Sequence, residues 1–391
     1  MKLIIPAYLS FFLILMLIKG CSNEMSYNIS ATKEIIVTSE TGDKLAVKEN
    51  IDFVQGAAKG NVIAIYPDSL RQTMDGIGTS FTESSAFVLA HLDIEKRKEV
   101  MQNIFGEKGA NFTLTRTHIG SCDFTVKGKY SYADKKDDKE LLSFDISPDT
   151  EGFKRKEFPG IKDESYDLLP MIKEALEIKS AQKNKDLKIV SSAWTAPYWM
   201  KDIEDWFIPG SPENNWQGTG GSLKHEYVSV YADYLVKYLD AYKAEGVNIW
   251  GLTPVNEPHG NNGQWESMKF TPESQNEFVK KYLGPKLKEN GFSDVKLLIY
   301  DQNRDGIEHW TDVLFSDKGT AEYVYGVAIH WYESTEKVYE DVLERVKKKF
   351  PGMAIINTEA CIDDLGKEAP EGVADPEMFK EEDWFDNDPF W

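Results

Sequence analysis

The chain has 391 residues, 41% of them hydrophobic and 12% aromatic, which suits one large barrel or two to three average domains and excludes a fibrous or disordered protein. A formal net charge of -20 argues against a nucleic-acid backbone as partner, because that attraction needs Lys and Arg against phosphate. An uncharged ligand such as a sugar is compatible with it.

Residues 1–20, MKLIIPAYLSFFLILMLIKG, place one early Lys before an apolar run and read as a secretory signal peptide, too short for a membrane span. The ending LIKGC looks like a bacterial lipoprotein cleavage site with Cys21 as the lipidated residue, although Lys19 departs from the usual small or apolar residue there. An ordinary signal peptide or anchor is the alternative. The expectation is an exported protein of the cell envelope, membrane-anchored through its N-terminus, with a polar spacer over 21–32. Cys122 and Cys361 are too few for a disulfide framework and are expected as buried or near-site thiols, with pairing between them left open.

Residues 33–72 carry three short alternating runs, KEIIVTS, KLAVKE and NVIAIYP, separated by Gly, Asp and Asn. They predict the strands of a small β element. From Thr73 the pattern changes to apolar strands alternating with amphipathic helices. The predicted strands are MDGIGTSF, NFTLTRTHIG, LKIVSSAW, IWGLTPV, VKLLIYD, YGVAIHW and AIINTEA. Predicted helices run over 83–105, 166–180, 224–245, 272–290 and 338–349. In the third, Tyr227, Tyr231, Tyr234, Leu235 and Tyr238 recur at helical spacing, as a core stripe does.

Strand-helix alternation with continuous apolar strands implies an α/β fold with a parallel sheet buried on both faces. A doubly wound sheet and a TIM (β/α)8-type barrel both fit. No Gly-rich dinucleotide fingerprint follows the first strand, and polar or acidic residues end nearly every strand, where barrels hold their chemistry. The barrel over 73–391 is therefore preferred. After AIINTEA no further helix and strand of sufficient length follow, so strand 8 is expected to be missing and the sequence to be truncated.

Glu83, Asp123, Glu257, Asp301 and Glu359 follow the first, second, fourth, fifth and seventh predicted strands. Glu257 in IWGLTPVNEPHG and Glu359 in NTEAC directly follow buried strands with small or uncharged neighbours. Two glutamates on opposite sides of a barrel mouth are what glycoside hydrolysis needs: one protonates the leaving oxygen and the other attacks or activates water. Asn256 suits a sugar 2-OH, and Pro258 stiffens the turn; helix N-capping is the plainer reading of Asn256. Trp194, Trp199, Trp265, Trp331 and Tyr332 at strand ends suit stacking on pyranose rings, with core packing the alternative for each. His330 orients a carboxylate or sugar hydroxyl, or is a satisfied core histidine. The six histidines show no zinc-ligand spacing and no G-x-S-x-G elbow occurs, so no metal or other cofactor is expected.

The segments DGIGTSFTESSAF, LTRTHIGSCDF, SSAWTAPYWMK, TPVNEP, WESMKFTPE, VAIHWY and NTEAC, in that order, resemble glycoside hydrolase family 30, which contains glucosylceramidases and β-1,6-glucanases. The resemblance implies a retaining β-glycosidase with Glu257 as acid/base and Glu359 as nucleophile. It further implies Asn256 at the 2-OH, and Arg116, Glu83, Trp194, His330 and Tyr332 lining the glycone subsite or bracing the nucleophile, with Glu83 standing where many relatives have Asp. The family packs a β-sandwich beside its barrel; residues 33–72 would supply its N-terminal strands, without their C-terminal partners. The substrate would be a β-linked glucan or glycosylceramide. The competing hypothesis is a lipid-anchored carbohydrate-binding protein without catalysis.

Overall fold

The computed structural model describes residues 33–361, apart from 45, 52–55, 58 and 335–336. The signal peptide, the lipidated Cys21, the polar spacer and the expected absence of strand 8 all lie outside the described residues. Among those described, no helix is long and apolar enough to cross a membrane.

The chain divides at residue 71 into two units. In the first, β1 (Lys33–Val37) and β2 (Ala46–Ile51) form an antiparallel hairpin. The third predicted run, NVIAIYP, is a correction: it forms no strand, and Ile63 and Ile65 are 91% and 82% exposed. An apolar run becomes a strand only where a neighbour takes its backbone hydrogen bonds, and none of the described strands does so here.

The second unit contains all seven strands expected of the barrel: β3 (Gly78–Phe81), β4 (Leu114–Ile119), β5 (Lys188–Ala193), β6 (Gly251–Thr253), β7 (Lys296–Asn303), β8 (Val324–His330) and β9 (Ala354–Glu359). They pair in parallel in chain order. β4 and β9 are five places apart, which in a flat sheet means roughly 24 Å at about 4.8 Å per strand. Yet Arg116 of β4 hydrogen-bonds Glu359 of β9, so the sheet curls into the wall of a barrel. The first glycine pair in DGIGTS belongs to this wall: a Cβ on Gly78 would meet the Leu114 carbonyl oxygen at 1.3 Å, so β3 approaches β4 only with glycine there.

The helical span predicted over 83–105 divides into α1 (Glu83–Ala90), capped by the Thr82 hydroxyl, and α2 (Ile94–Phe105). α3 (Leu168–Ser180) starts at the Asp167 cap. α4 (Val228–Ala244) buries Tyr231, Tyr234, Tyr238 and Tyr242, and Tyr132 stacks on Tyr234 and Tyr238 at 6.2 and 5.9 Å, so the tyrosine stripe is core. The span predicted over 272–290 is α5 (Pro272–Phe278), a π turn over Val279–Leu283 and α6 (Gly284–Glu289). Pro285 lacks the N–H a regular ladder requires, and the wide turn absorbs that defect. α7 (Ile307–Ser316), α8 (Lys318–Ala321) and α9 (Glu340–Lys349) complete the described helices.

One buried lysine ties the loops beyond β5 and β6 together. Lys201 is fully buried and donates to the carbonyls of Trp206, Gly220 and Ser267 at 2.6, 2.9 and 3.0 Å.

Candidate active site

Glu257 stands four residues past β6 with φ +48, a left-handed conformation that costs a non-glycine residue about 1 kcal/mol or more. Neighbours hold it there. Its N–H donates to the Asp301 carbonyl at 2.9 Å, and the N–H of Asn256 donates to the Ala193 carbonyl at 2.6 Å. Glu359 is the last residue of β9. One oxygen from each glutamate and one ring nitrogen of His330 lie within 4.8 Å of one another.

Glu359 is held at both oxygens. Arg116 Nη1 donates to Oε2, and the Tyr332 hydroxyl donates to Oε1 at 3.1 Å. Arg116 also reaches Asn256 Oδ1 at 2.7 Å, Asp301 Oδ2 at 2.9 Å and Ser192 Oγ at 3.0 Å, with its guanidinium 4.7 Å above the Trp194 ring. Its three nitrogens thus make four hydrogen bonds. Glu257 Oε1 lies 3.4 Å from His330 Nδ1, while His330 Nε2 lies 3.1 Å from Asp301 Oδ1.

The titration of this network follows from its charges. Burial alone would push His330 down, but its hydrogen bonds to Asp301 and Glu257 and the charges of Asp301 and Glu359 carry it up to about 9. Burial opposes the ionised form of Asp301 too, yet Arg116 and His330 hold that carboxyl well below the usual range. Arg116, similarly buried, is held above its ordinary value by Asp301 and Glu359. The cleft thus contains two fixed cations. The donor atoms of Glu257, His330 and Glu359 are close enough for a metal ion, but Arg116 and His330 already meet the carboxylates there.

Of the residues singled out in the sequence, Arg116, Asn256, Glu257, His330, Tyr332 and Glu359 share this network, and Trp194 lies against it. Trp194 is 4% exposed, and its indole Nε1 has no hydrogen-bond partner among the described residues. Glu83 goes elsewhere. Its carboxyl is fully buried, with Oε2 accepting from the N–H groups of Val126 and Lys127 at 2.5 and 3.0 Å and Oε1 3.6 Å from Lys127 Nζ. Trp265 is half-buried on the loop after β6, where its carbonyl accepts from Asn261. Trp199 is core: it is fully buried and donates to the Ala133 carbonyl at 2.8 Å. Trp331 is half-buried and donates to the Cys361 carbonyl at 3.2 Å. Cys122 and Cys361 are both free thiols.

Two carboxylates carry more than the sequence reading gave them. Asp301 is the buried hub just described. Asp123 is exposed as a residue, but its carboxyl is partly withdrawn from water beside the two glutamates, and that withdrawal, then the charges of Glu359 and Glu257, draws it up to about 7. Both were visible as acids at strand ends. Only the curl of the sheet shows that they face the same space as the two glutamates.

A barrel wall with two opposed glutamates at its C-terminal end, each gripped by a cation, defines a glycosidase-type site. Residues 74–375 match the glycosyl hydrolase family 30 TIM-barrel domain, and the chain belongs to that family. The lysosomal acid glucosylceramidase of Mus musculus is 29% identical over 306 residues, which cover 78% of this chain and 54% of that protein. The endo-1,6-beta-D-glucanase of Neurospora crassa is 30% identical over 295 residues, covering 75% of this chain and 54% of that one. The crystal structure of SrfJ from Salmonella typhimurium is similar at TM-score 0.63 and 27% identity, covering 77% of this chain and 59% of that one. The chain spans about half the length of the curated relatives it matches.

Proposed function

We propose that the chain is the catalytic part of an exported, retaining β-glycosidase that cleaves β-glucosidic bonds of a glucan or glycosylceramide. In this reading it is held at the cell envelope by a lipid on Cys21. The observation that carries the catalytic reading is the approach of Glu257 and Glu359. One oxygen of each glutamate lies within 4.8 Å of the other, a close approach that suits the gap of about 5 to 5.5 Å between carboxyl groups used for covalent capture better than the about 6.5 to 9.5 Å that leaves room for an inverting water. The names of the glucosylceramidase and endo-glucanase relatives support a glucosyl substrate.

In the first step a Glu359 oxygen bonds to the anomeric carbon as the glycosidic C–O bond breaks, and the leaving oxygen takes the proton of Glu257. In the second, water attacks that carbon, gives its proton to Glu257 and releases Glu359. Arg116 and Tyr332 fix the direction of the Glu359 carboxylate before attack, which lowers the entropic cost of reaching the transition state. Asn256, turned toward the cleft and held by Arg116, takes the 2-OH, and Asp123 at the rim takes an outer sugar hydroxyl.

Proton NMR of the first sugar released from an aryl β-glucoside tests this. The β anomer is expected, and Glu359→Gln should lower kcat by roughly a thousandfold or more. First release of the α anomer would overturn retention. Absence of hydrolysis with retained glycan binding would favour the non-catalytic carbohydrate-binding alternative.

A further inference from the structure

Asp301 is the feature that the two-glutamate mechanism leaves unused. It lies on β7, fully buried, and its two oxygens take hydrogen bonds from five other strands. Oδ2 accepts from Arg116 of β4 at 2.9 Å, Ser192 of β5 at 3.0 Å and Thr253 of β6 at 2.6 Å. Oδ1 accepts from His330 of β8 at 3.1 Å and Thr358 of β9 at 2.6 Å.

The local backbone is shaped to deliver this side chain. Tyr300 and Asp301 have φ +75 and +64, and the β7–β8 pairing slips between Tyr300 and Gln302. Such a bulge re-aims a side chain that regular alternation would send elsewhere. A conformation costing about 1 to 3 kcal/mol per residue persists only where the surroundings hold it, and five strands do so here.

Only two of the five partners are charged, and each of those also grips one catalytic glutamate: Arg116 holds Glu359 and His330 reaches Glu257. We propose that Asp301 is a positioning residue that holds Arg116 and His330 against the two glutamates, so that one buried carboxylate sets the orientation of the nucleophile and of the acid/base together. This rests on the assignment of Glu257 and Glu359 given above.

The charge on His330 is the distinguishing property. The charged groups facing it are Asp301 from its own strand's neighbour β7, Glu257 beyond β6 and Glu359 on β9, with Arg116 the other cation on Asp301. Without Asp301, the imidazole loses a hydrogen bond and a charge that offset its burial, and the balance shifts toward the neutral form. Glu257 then loses its cationic neighbour, and Arg116 turns its whole charge on Glu359, which weakens that oxygen as a nucleophile.

The test is a titration of the ring carbon and nitrogen resonances of His330 by NMR, combined with kinetics on an aryl β-glucoside. In the wild-type protein His330 should stay doubly protonated through pH 7, with its midpoint near 9. Titration near the ordinary 6.5 would overturn the proposal without any variant. Asp301→Asn should bring the midpoint below 6.5 and lower kcat about a hundredfold with KM within threefold. Thr358→Val removes a hydrogen bond to the same oxygen but no charge, and should leave the His330 midpoint in place. If it lowers the midpoint as far as Asp301→Asn does, the effect is packing and the proposal fails. If the wild type is active while Asp301→Asn keeps wild-type kcat, the proposal fails and the glycosidase assignment stands.

Discussion

Asp301 and Asp149 are the same side chain, both fully buried in one unit, and their carboxyls move in opposite directions. Asp149 ends a short 3-10 turn and accepts from three phenols: Tyr132 at 2.6 Å, Tyr242 at 2.5 Å and Tyr130 at 3.3 Å. Burial pushes it up to about 7 despite the bonds from Tyr132 and Tyr242. Asp301 has hydroxyl donors as well, but Arg116 and His330 add full positive charge, and it stays ionised. The phenol bonds to Asp149 offset its burial only in part, whereas the cations beside Asp301 tip the balance to the ionised form. The carboxyl of Asp149 beside α4 is therefore biased toward holding its proton, and that of Asp301 toward keeping its charge.

The largest effect that would break this comparison is expected from Arg116→Met. It leaves Asp301 and Glu359 without their shared cation and should cost about 3 to 5 kcal/mol in urea unfolding at pH 7. Because the carboxyl of Asp301 is depressed in the folded state, its contribution is present above the ordinary carboxylate range and is lost as pH falls below it. In the variant Asp301 protonates more readily, so the deficit should shrink from pH 7 to pH 4. A loss under about 1 kcal/mol at pH 7 would mean that charge is not what separates the two regions.

Asp149→Asn sharpens the other side. The unfolded chain releases this proton near 3.8 and the folded protein near 7, so between those values the folded state holds more protons and stability falls as pH rises. The contribution is complete below about 4 and gone above about 7, on the order of 4 kcal/mol in all. Asparagine copies the protonated acid, and the unfolding free energy of the variant should vary less with pH across that window. Parallel curves for variant and wild type would place the stored proton elsewhere.

Trp194→Phe is expected to do least to stability, since the indole Nε1 it removes has no partner among the described residues. The melting temperature should hold or rise slightly. KM for a β-glucoside should rise severalfold if that N–H waits for a sugar hydroxyl; unchanged KM would make Trp194 a packing residue beneath Arg116.

The periodicity of the sequence made seven strands legible, together with the two glutamates that follow the fourth and seventh of them, because buried parallel strands are continuous apolar runs that end in polar residues. What it hid depends on distance in space. Asp301 read as one more acid at a strand end, since nothing in VKLLIYD announces a left-handed backbone or five partners from five strands. Glu83 occupied an equivalent position after the first strand, yet its carboxyl meets the backbone of Val126 and Lys127, a long-range choice that spacing does not encode. NVIAIYP had the composition of a strand but no neighbour to pair with among the described residues. The single helix expected over 272–290 was interrupted by a proline that periodicity overrode and backbone chemistry did not.

The left-handed backbone at Glu257 sets activity against robustness at one position. Glycine adopts that conformation freely, so Glu257→Gly would surrender the carboxyl proposed as acid/base and shed the torsional strain in one exchange. A crippled catalyst would thereby be the hardier molecule, and selection for thermal endurance alone would drift toward losing the chemistry. That glutamate is kept there at the protein's own expense.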